Sequence, residues 1–175
     1  KDIFPLVKES KMWLGNGFHA GNAFFSTPFA KEYGEGVYMP ETGLVKFRNV
    51  CWFTNVDHGR RHQPLPLMTM EENLKYSKHK EIKGKKSYEK YDNYDAIEIP
   101  FTDSIPSDYD DVMGVPLSFL DKYSPEQFEI IGGTANGQVP KEFKIGNFKV
   151  YNNPIANGRK IFQRVLIRHK KVKNE

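Results

Sequence analysis

A single cysteine, Cys51, is all the thiol the chain has. That excludes an internal disulfide framework and leaves the redox compartment open, with a reducing cytoplasm the natural expectation. No apolar run approaches the ~18 residues a membrane-spanning helix needs, and no signal peptide is legible. There is no phosphate-cradling G-x-x-x-x-G-K-[ST] loop, no internal repeat, and nowhere two adjacent prolines. Charge of one sign is also in short supply: 26 Lys and Arg stand against 22 Asp and Glu, a net of +4. Such a balance is by itself weak support for a nucleic-acid partner. The chain opens on KDIFPLVKESK without an initiator methionine. A helix already under way at residue 2 reads as a βαβ unit lacking its first strand, that is, as a piece of a longer protein.

What is present is a composition that folds. Hydrophobic residues make up 38%, aromatics 14% and charged residues 27% of 175 residues, enough for one domain or parts of two. The expected elements begin with a helix over 2–10, with Pro5 tolerated in its first turn. A short strand at 11–14 follows, and then a glycine- and aromatic-rich excursion. Residues 44–56 (LVKFRNVCWFTNV) read as one long strand, antiparallel to the first. The run PLPLM is an extended linker, because each proline biases its predecessor toward extended backbone. Further on, helices are expected at 70–77 and 115–122, the latter with Pro116 in its first turn. Strands are expected at 95–100, at 125–131 running to Gly132-Gly133, at 143–151 and at 159–169. The fold class is α/β, with the α+β look of a fragment.

The densest chemistry lies in NVCWFTNVDHGRRHQPLP, residues 49–66. Cys51, His58 and His62 form C-x6-H-x3-H, but a structural zinc site needs four ligands and normally paired cysteines. Cys51 sits between Val50 and Trp52 in a strand pattern, where a small thiol packs into a core. No metal is assigned. Asp110 or Asp111 followed by Glu142-Phe143-Lys144 loosely fits the acid and lysine set of a Mg²⁺-dependent nuclease; the pattern is permissive, and a solvated acidic loop explains it as well. GNGFHAG follows a strand, yet its aromatic filling argues against a dinucleotide fingerprint.

Charge is segregated along the chain. Residues 91–111 hold seven acids and no Lys or Arg, whereas 159–175 hold seven bases and one acid. Duplex DNA responds to such local patches rather than to the average. The candidate DNA-contacting residues are Arg60, Arg61, His62, Lys85, Lys86, Arg159, Lys160 and Arg164, with the aromatics Trp52, Phe53, Tyr88 and Tyr91 interleaved. Arginine can grip a guanine edge with its fork, while lysine mostly neutralises phosphate.

KFRNVCWFTNVDHGRRHQPLPL, then YEKYDNYDAIEIP, DYDDVMGVPLSFLDKYSPEQFEIIG and NGRKIFQRVLIRHKK, resemble the C-terminal half of the EcoRI-type adenine-specific DNA methyltransferases. IFPLVKESKMWLG fits the same pattern, and only 133–155 is hard to match. The resemblance implies methyl transfer from S-adenosylmethionine to adenine N6 in double-stranded DNA, in a bacterial cytoplasm and with no membrane. It implies that residues 1–56 are the end of a methyltransferase-like catalytic sheet and that 57–175 form a mixed, strand-rich target-recognition region. Phe18, His19, Phe24 and Phe25 would lie where related enzymes approach a flipped adenine, for stacking or for propping the pocket. The family's D/N-P-P-Y/F motif and glycine-rich cofactor loop are absent here and belong to a missing N-terminal half, so no catalytic residue is assigned. The alternatives are a stand-alone nucleic-acid-binding domain and, more weakly, the nuclease. With this chain alone, a radiolabelled methyl-transfer assay on duplex DNA is expected to show no turnover; measurable transfer would overturn the division of labour just described.

Overall fold

The computed structural model of the chain describes residues 3–15, 21–57, 59–146 and 153–170. Helix α1 (Ile3–Lys8) is shorter than expected. It ends where Ser10 turns to φ 55°, and it buries Val7 in the main core. Strand β1 (Trp13–Leu14) follows. Strands β2 (Gly21–Phe25), β3 (Tyr38–Met39) and β4 (Leu44–Val50) form a three-stranded antiparallel sheet in the order β2-β4-β3. Strand β5 (Phe53–Thr54) then returns to β1 in the expected antiparallel pair, Trp13 opposite Thr54.

The long strand expected over 44–56 is therefore two strands. The chain breaks at Cys51–Trp52, where the carbonyl of Trp52 accepts a hydrogen bond from the Gly15 amide at 2.8 Å. A Cβ at Gly15 would sit 2.3 Å from the Trp52 indole, so only glycine admits this crossing. The same break corrects the reading of Cys51 as a core residue: it is exposed. A buried thiol needs an uninterrupted strand, and the strand ends one residue earlier.

Helix α2 (Met70–Tyr76) is built by its own N-terminus. Thr69 accepts from the Glu72 amide at 3.2 Å and Glu72 accepts from the Thr69 amide at 2.8 Å, a reciprocal cap that satisfies orphan backbone donors. Asp108 takes the Met70 amide at 2.7 Å.

The body of the molecule is a four-stranded mixed sheet. Its strands are β6 (Ile97–Glu98), β7 (Met113–Pro116), β8 (Phe128–Gly133) and β11 (Arg164–His169), in the order β6-β7-β11-β8. Only β6 and β7 run parallel. Between β8 and β11 lies a hairpin of β9 (Ile155–Ala156) and β10 (Arg159–Lys160). Both faces of the sheet are covered. Val165 and Ile167 enter one core cluster and Leu166 the other, and all three have no exposure. Burial of each such side chain contributes roughly 1.5–3 kcal/mol. That is why this strand is a continuous apolar run rather than an alternating one. The larger cluster also takes in Val7 and Trp13, with Phe53 packed against it, so residues on both sides of position 57 share one core.

Three more expectations change. Residues 115–122 are not a helix: Met113–Pro116 is strand, and Leu117–Asp121 is a 3-10 turn. Pro116 sits extended at φ −59°, ψ 153°, held in β7 by the buried sheet rather than opening a helix. The strand expected over 159–169 is divided at 161–163 into hairpin and sheet. Of the strand expected at 143–151, Lys141–Phe143 is a 3-10 turn and Lys144 makes a single bridge to Tyr94; 147–151 lie outside the described residues.

At Gly132, opposite Leu166, an added Cβ would lie 2.4 Å from the carbonyl oxygen of Gln138. Main chain cannot swing aside as a flexible side-chain tip can. Gly132→Ala is expected to destabilise the protein by about 1–3 kcal/mol, read as a lower denaturation midpoint with an unchanged slope.

Candidate nucleic-acid interface

Arg60, Arg61 and His62 fall in one 3-10 turn, Gly59–His62, and part in three directions. Arg60 is exposed, and no hydrogen bond or ion pair engages its side chain among the described residues. Arg61 is only 8% exposed and stacks over the Trp13 ring, its guanidinium carbon 4.9 Å from the ring centroid. Burial lowers its pKa, opposed by the charges of Asp57 and Asp121. Its Nε, like the indole nitrogen of Trp13, is buried without a hydrogen-bond partner among the described residues. Arg61 thus fastens the turn to β1 and offers little to a ligand. Both arginines border a groove of about 700 Å³ walled by Leu65 and Pro66 on one side and Asp121–Tyr123 on the other.

His62 ties that groove's wall to the body. Its Nδ1 lies 2.5 Å from Glu126 and its Nε2 2.7 Å from Asp57. An imidazole facing two carboxylates must donate from both nitrogens, which only the imidazolium does. A residue away, the Gln127 amide both donates to the Leu65 carbonyl at 3.1 Å and accepts from its amide at 2.7 Å, so one side chain stands in for a strand partner.

A second cleft, of about 280 Å³, gathers Lys85, Arg159, Lys160 and Arg164 around an apolar floor that includes Ile82 and Ile161. Four of the cations singled out in the sequence thus converge from two distant segments, but carboxylates reach most of them first. Lys85 donates to Glu89 at 2.8 Å and Arg159 to the same carboxylate at 3.3 Å. The hydrogen bond from Lys85 leads the causes that lower the Glu89 pKa, against burial. Arg164 is committed more deeply. Its Nη2 is 2.5 Å from Glu98 and its Nε 3.1 Å, with only 12% and 8% of the two side chains exposed. Tyr91 donates to Glu98 from the other side. Burial first, and then the Glu98 charge, raises the Tyr91 pKa well above its ordinary value, so the phenol stays protonated and remains a donor. Lys86 and Lys160 are exposed, and their side chains make no hydrogen bond or ion pair among the described residues.

Phe24 and Phe25 are exposed on the small sheet, on opposite faces because strand neighbours alternate. Phe24 pairs with Lys46, whose amine lies 5.6 Å from the ring centroid. Phe25 meets Phe47 edge-on at 5.8 Å. Phe18, His19 and His58 lie outside the described residues. Among the described residues no set of three or more His, Cys, Asp or Glu side chains is placed to hold a metal ion, and no helix is long and apolar enough to cross a membrane. Glu89 and Glu98, which decide how much cationic charge is free, were not singled out in the sequence. Their signal was there as acids close to aromatic and lysine runs, but their arginine partners lie about seventy positions away.

A family model described as adenine-specific methyltransferase EcoRI matches residues 1–170. The type II methyltransferase M.EcoRI of Escherichia coli is 37% identical over 98% of this chain and 47% of its own length. M.MgeORF184P of Mycoplasma genitalium is 31% identical over 97% of the chain and 53% of its own. M.MpnI of Mycoplasma pneumoniae is 30% identical over 96% and 52%. The chain spans about half the length of these relatives. No solved structure matches it significantly.

The His62 clamp has a defined pH window. Hydrogen bonding to Glu126, then to Asp57, raises the His62 pKa above 6.5. The bond from His62 lowers that of Glu126 below 4.5. The histidine's contribution is complete below 6.5 and fades as pH rises through its raised folded value; the glutamate's is complete above 4.5 and fades as pH falls through its lowered one. The clamp is therefore fullest between those two values. Titration of the His62 ring followed by NMR is expected to show a midpoint above 6.5, returning toward the ordinary value in Glu126→Gln. A midpoint at or below 6.5 in the unaltered protein would remove the clamp.

Proposed function

This chain belongs to the EcoRI family of adenine-specific methyltransferases, and on that premise we propose that it is the target-recognising part of a DNA adenine-N6 methyltransferase of a restriction–modification type system. S-adenosylmethionine is the methyl donor of that enzyme, and double-stranded DNA is its substrate. The observation that carries the reading is the match over 1–170 by a chain without the D/N-P-P-Y/F sequence. Residues 1–56 complete the catalytic sheet, and 57–175 read the duplex.

Neither of the two clefts described above fits the methyl donor: their linings hold no glycine-rich loop opening a helix. No step is therefore assigned to the donor here. The chain's own part is to hold DNA. Arg60, Lys86 and Lys160, which have no protein partner among the described residues, are the strongest phosphate or base-edge contacts. Lys85 and Arg159 contribute once Glu89 is displaced by a stronger anion. Arg61, His62 and Arg164 shape the surface that presents them. Phe24 or Phe25, with Phe18 and His19 a few positions before them in the sequence, approach the flipped adenine.

Fluorescence anisotropy with duplex DNA over a salt series tests this. Binding should weaken steeply with salt. Arg60→Ala should lower the salt slope by about one with stability unchanged, whereas Arg61→Ala should lower stability. No duplex binding at low salt, or an Arg60→Ala protein that binds as before, would overturn the assignment.

A further inference from the structure

Phe162 is 70% exposed, more than any other large hydrophobic residue among those described. An exposed phenylalanine on a loose loop would need no account. This one is held rigidly from behind. Arg164, anchored by both Nε and Nη2 to the buried Glu98, turns its remaining Nη1 onto the carbonyls of Phe162 at 3.2 Å and Gln163 at 3.3 Å. On the preceding side Ile161 is buried and its amide donates to the Pro154 carbonyl at 2.8 Å. The adjoining β9–β10 hairpin turns through Asn157 and Gly158, both at positive φ, which is the tight turn whose twist suits a hairpin. The Gly158 amide is fixed by Asp92 at 2.8 Å. The main chain on both sides of Phe162 is thus braced while its ring faces solvent.

The surroundings are cationic. Residues 153–170 carry Arg159, Lys160, Arg164, Arg168 and Lys170 and no acid. Lys160 has no protein partner among the described residues, and Arg159 spends one Nη2 contact on Glu89 with 70% of its side chain exposed. A rigid, protruding aromatic ring between phosphate-seeking cations is what unstacking a base step requires. Such wedges open the step and gain contact with the bent duplex.

We propose that Phe162 is a DNA wedge, inserting between neighbouring bases of the bound duplex while Lys160 and Arg159 hold the flanking phosphates. The Glu98–Arg164 pair is its brace: a positioning device rather than a DNA contact. The proposal rests on the reading of this chain as a DNA-binding part, and it adds a residue, a mode of contact and a deformation of the substrate.

The test uses the protein expressed from its complete reading frame and a duplex sequence selected by that protein from a random pool. 2-Aminopurine is placed at successive positions along the duplex. Apart from the flipped target adenine, where a probe brightens on its own account, binding is expected to raise fluorescence at one further step, where the probe loses its neighbour to the Phe162 ring. Phe162→Ala should abolish that rise and weaken binding by roughly tenfold, within the range for losing one aromatic–base stack. Phe162→Trp should retain both. Lys160→Ala should weaken binding and lower the salt slope while keeping the fluorescent rise. A rise at that further step that survives in Phe162→Ala, with anisotropy still reporting binding, overturns the wedge and leaves the DNA-binding reading intact. Absence of duplex binding by the unaltered protein overturns both.

Discussion

Glu98 and Arg164 meet across the width of β7 with little of either side chain exposed, and much of the molecule is arranged around that meeting. A buried carboxylate is tolerable only when paired and hydrogen-bonded, and this one is approached by Arg164 through two nitrogens and by Tyr91 through its hydroxyl. Gly114 makes the geometry possible. A Cβ there would fall 2.2 Å from the Tyr91 oxygen, so the phenol can lie across β7 only where a side chain is missing. The pair joins β6 to β11 over the strand between them, and the guanidinium's last donors reach forward to the loop that displays Phe162. One interaction therefore links the sheet's edge, its interior strand β11 and the most exposed large aromatic among the described residues.

The same economy governs the positive charge. A chain with a net of only +4 cannot attract DNA by its average, and local acids quench several of its cations. Glu89 takes Lys85 and Arg159, Glu129 takes Arg168, and Glu98 takes Arg164. Exposed pairs of this kind are worth little in stability, and a phosphate can compete for them. Arg60 and Lys160, whose side chains are unpaired among the described residues, sit on a turn and a hairpin fastened by other contacts: the Arg61–Trp13 stack, the His62 clamp and the Asn157–Gly158 turn. Rigid presentation reduces the ordering cost of binding.

Burial on both sides explains where reading the sequence succeeded and where it did not. Residues 164–169 were legible as a strand because an apolar run of that length, rich in Val and Ile, has few other destinations. The helix expected at 70–77 forms as α2, and the cap that starts it, Thr69 with Glu72, acts on the backbone within three residues of itself. Residues 115–122 misled because Val-Pro followed by an apolar and polar mixture fits a helical first turn as well as a strand end. Cys51 misled because the strand pattern runs through it, while the break is imposed by Trp52 lying against Gly15 some thirty-seven positions upstream.

The sequence by itself determined the family, the broad α/β class, the lone thiol and the separation of an acidic middle from a basic end, since each of these is carried by composition or by contiguous strings. Only the tertiary structure decided which arginines are free. Arg60 and Arg61 are neighbours of identical type, yet one is exposed and the other lies under the turn against Trp13. Arg159 and Arg164 differ in the same way, through Glu89 at the surface and Glu98 within. Electrostatic availability depends on what lies within a few ångströms, and those neighbours are chosen by the path of the chain, not by its order.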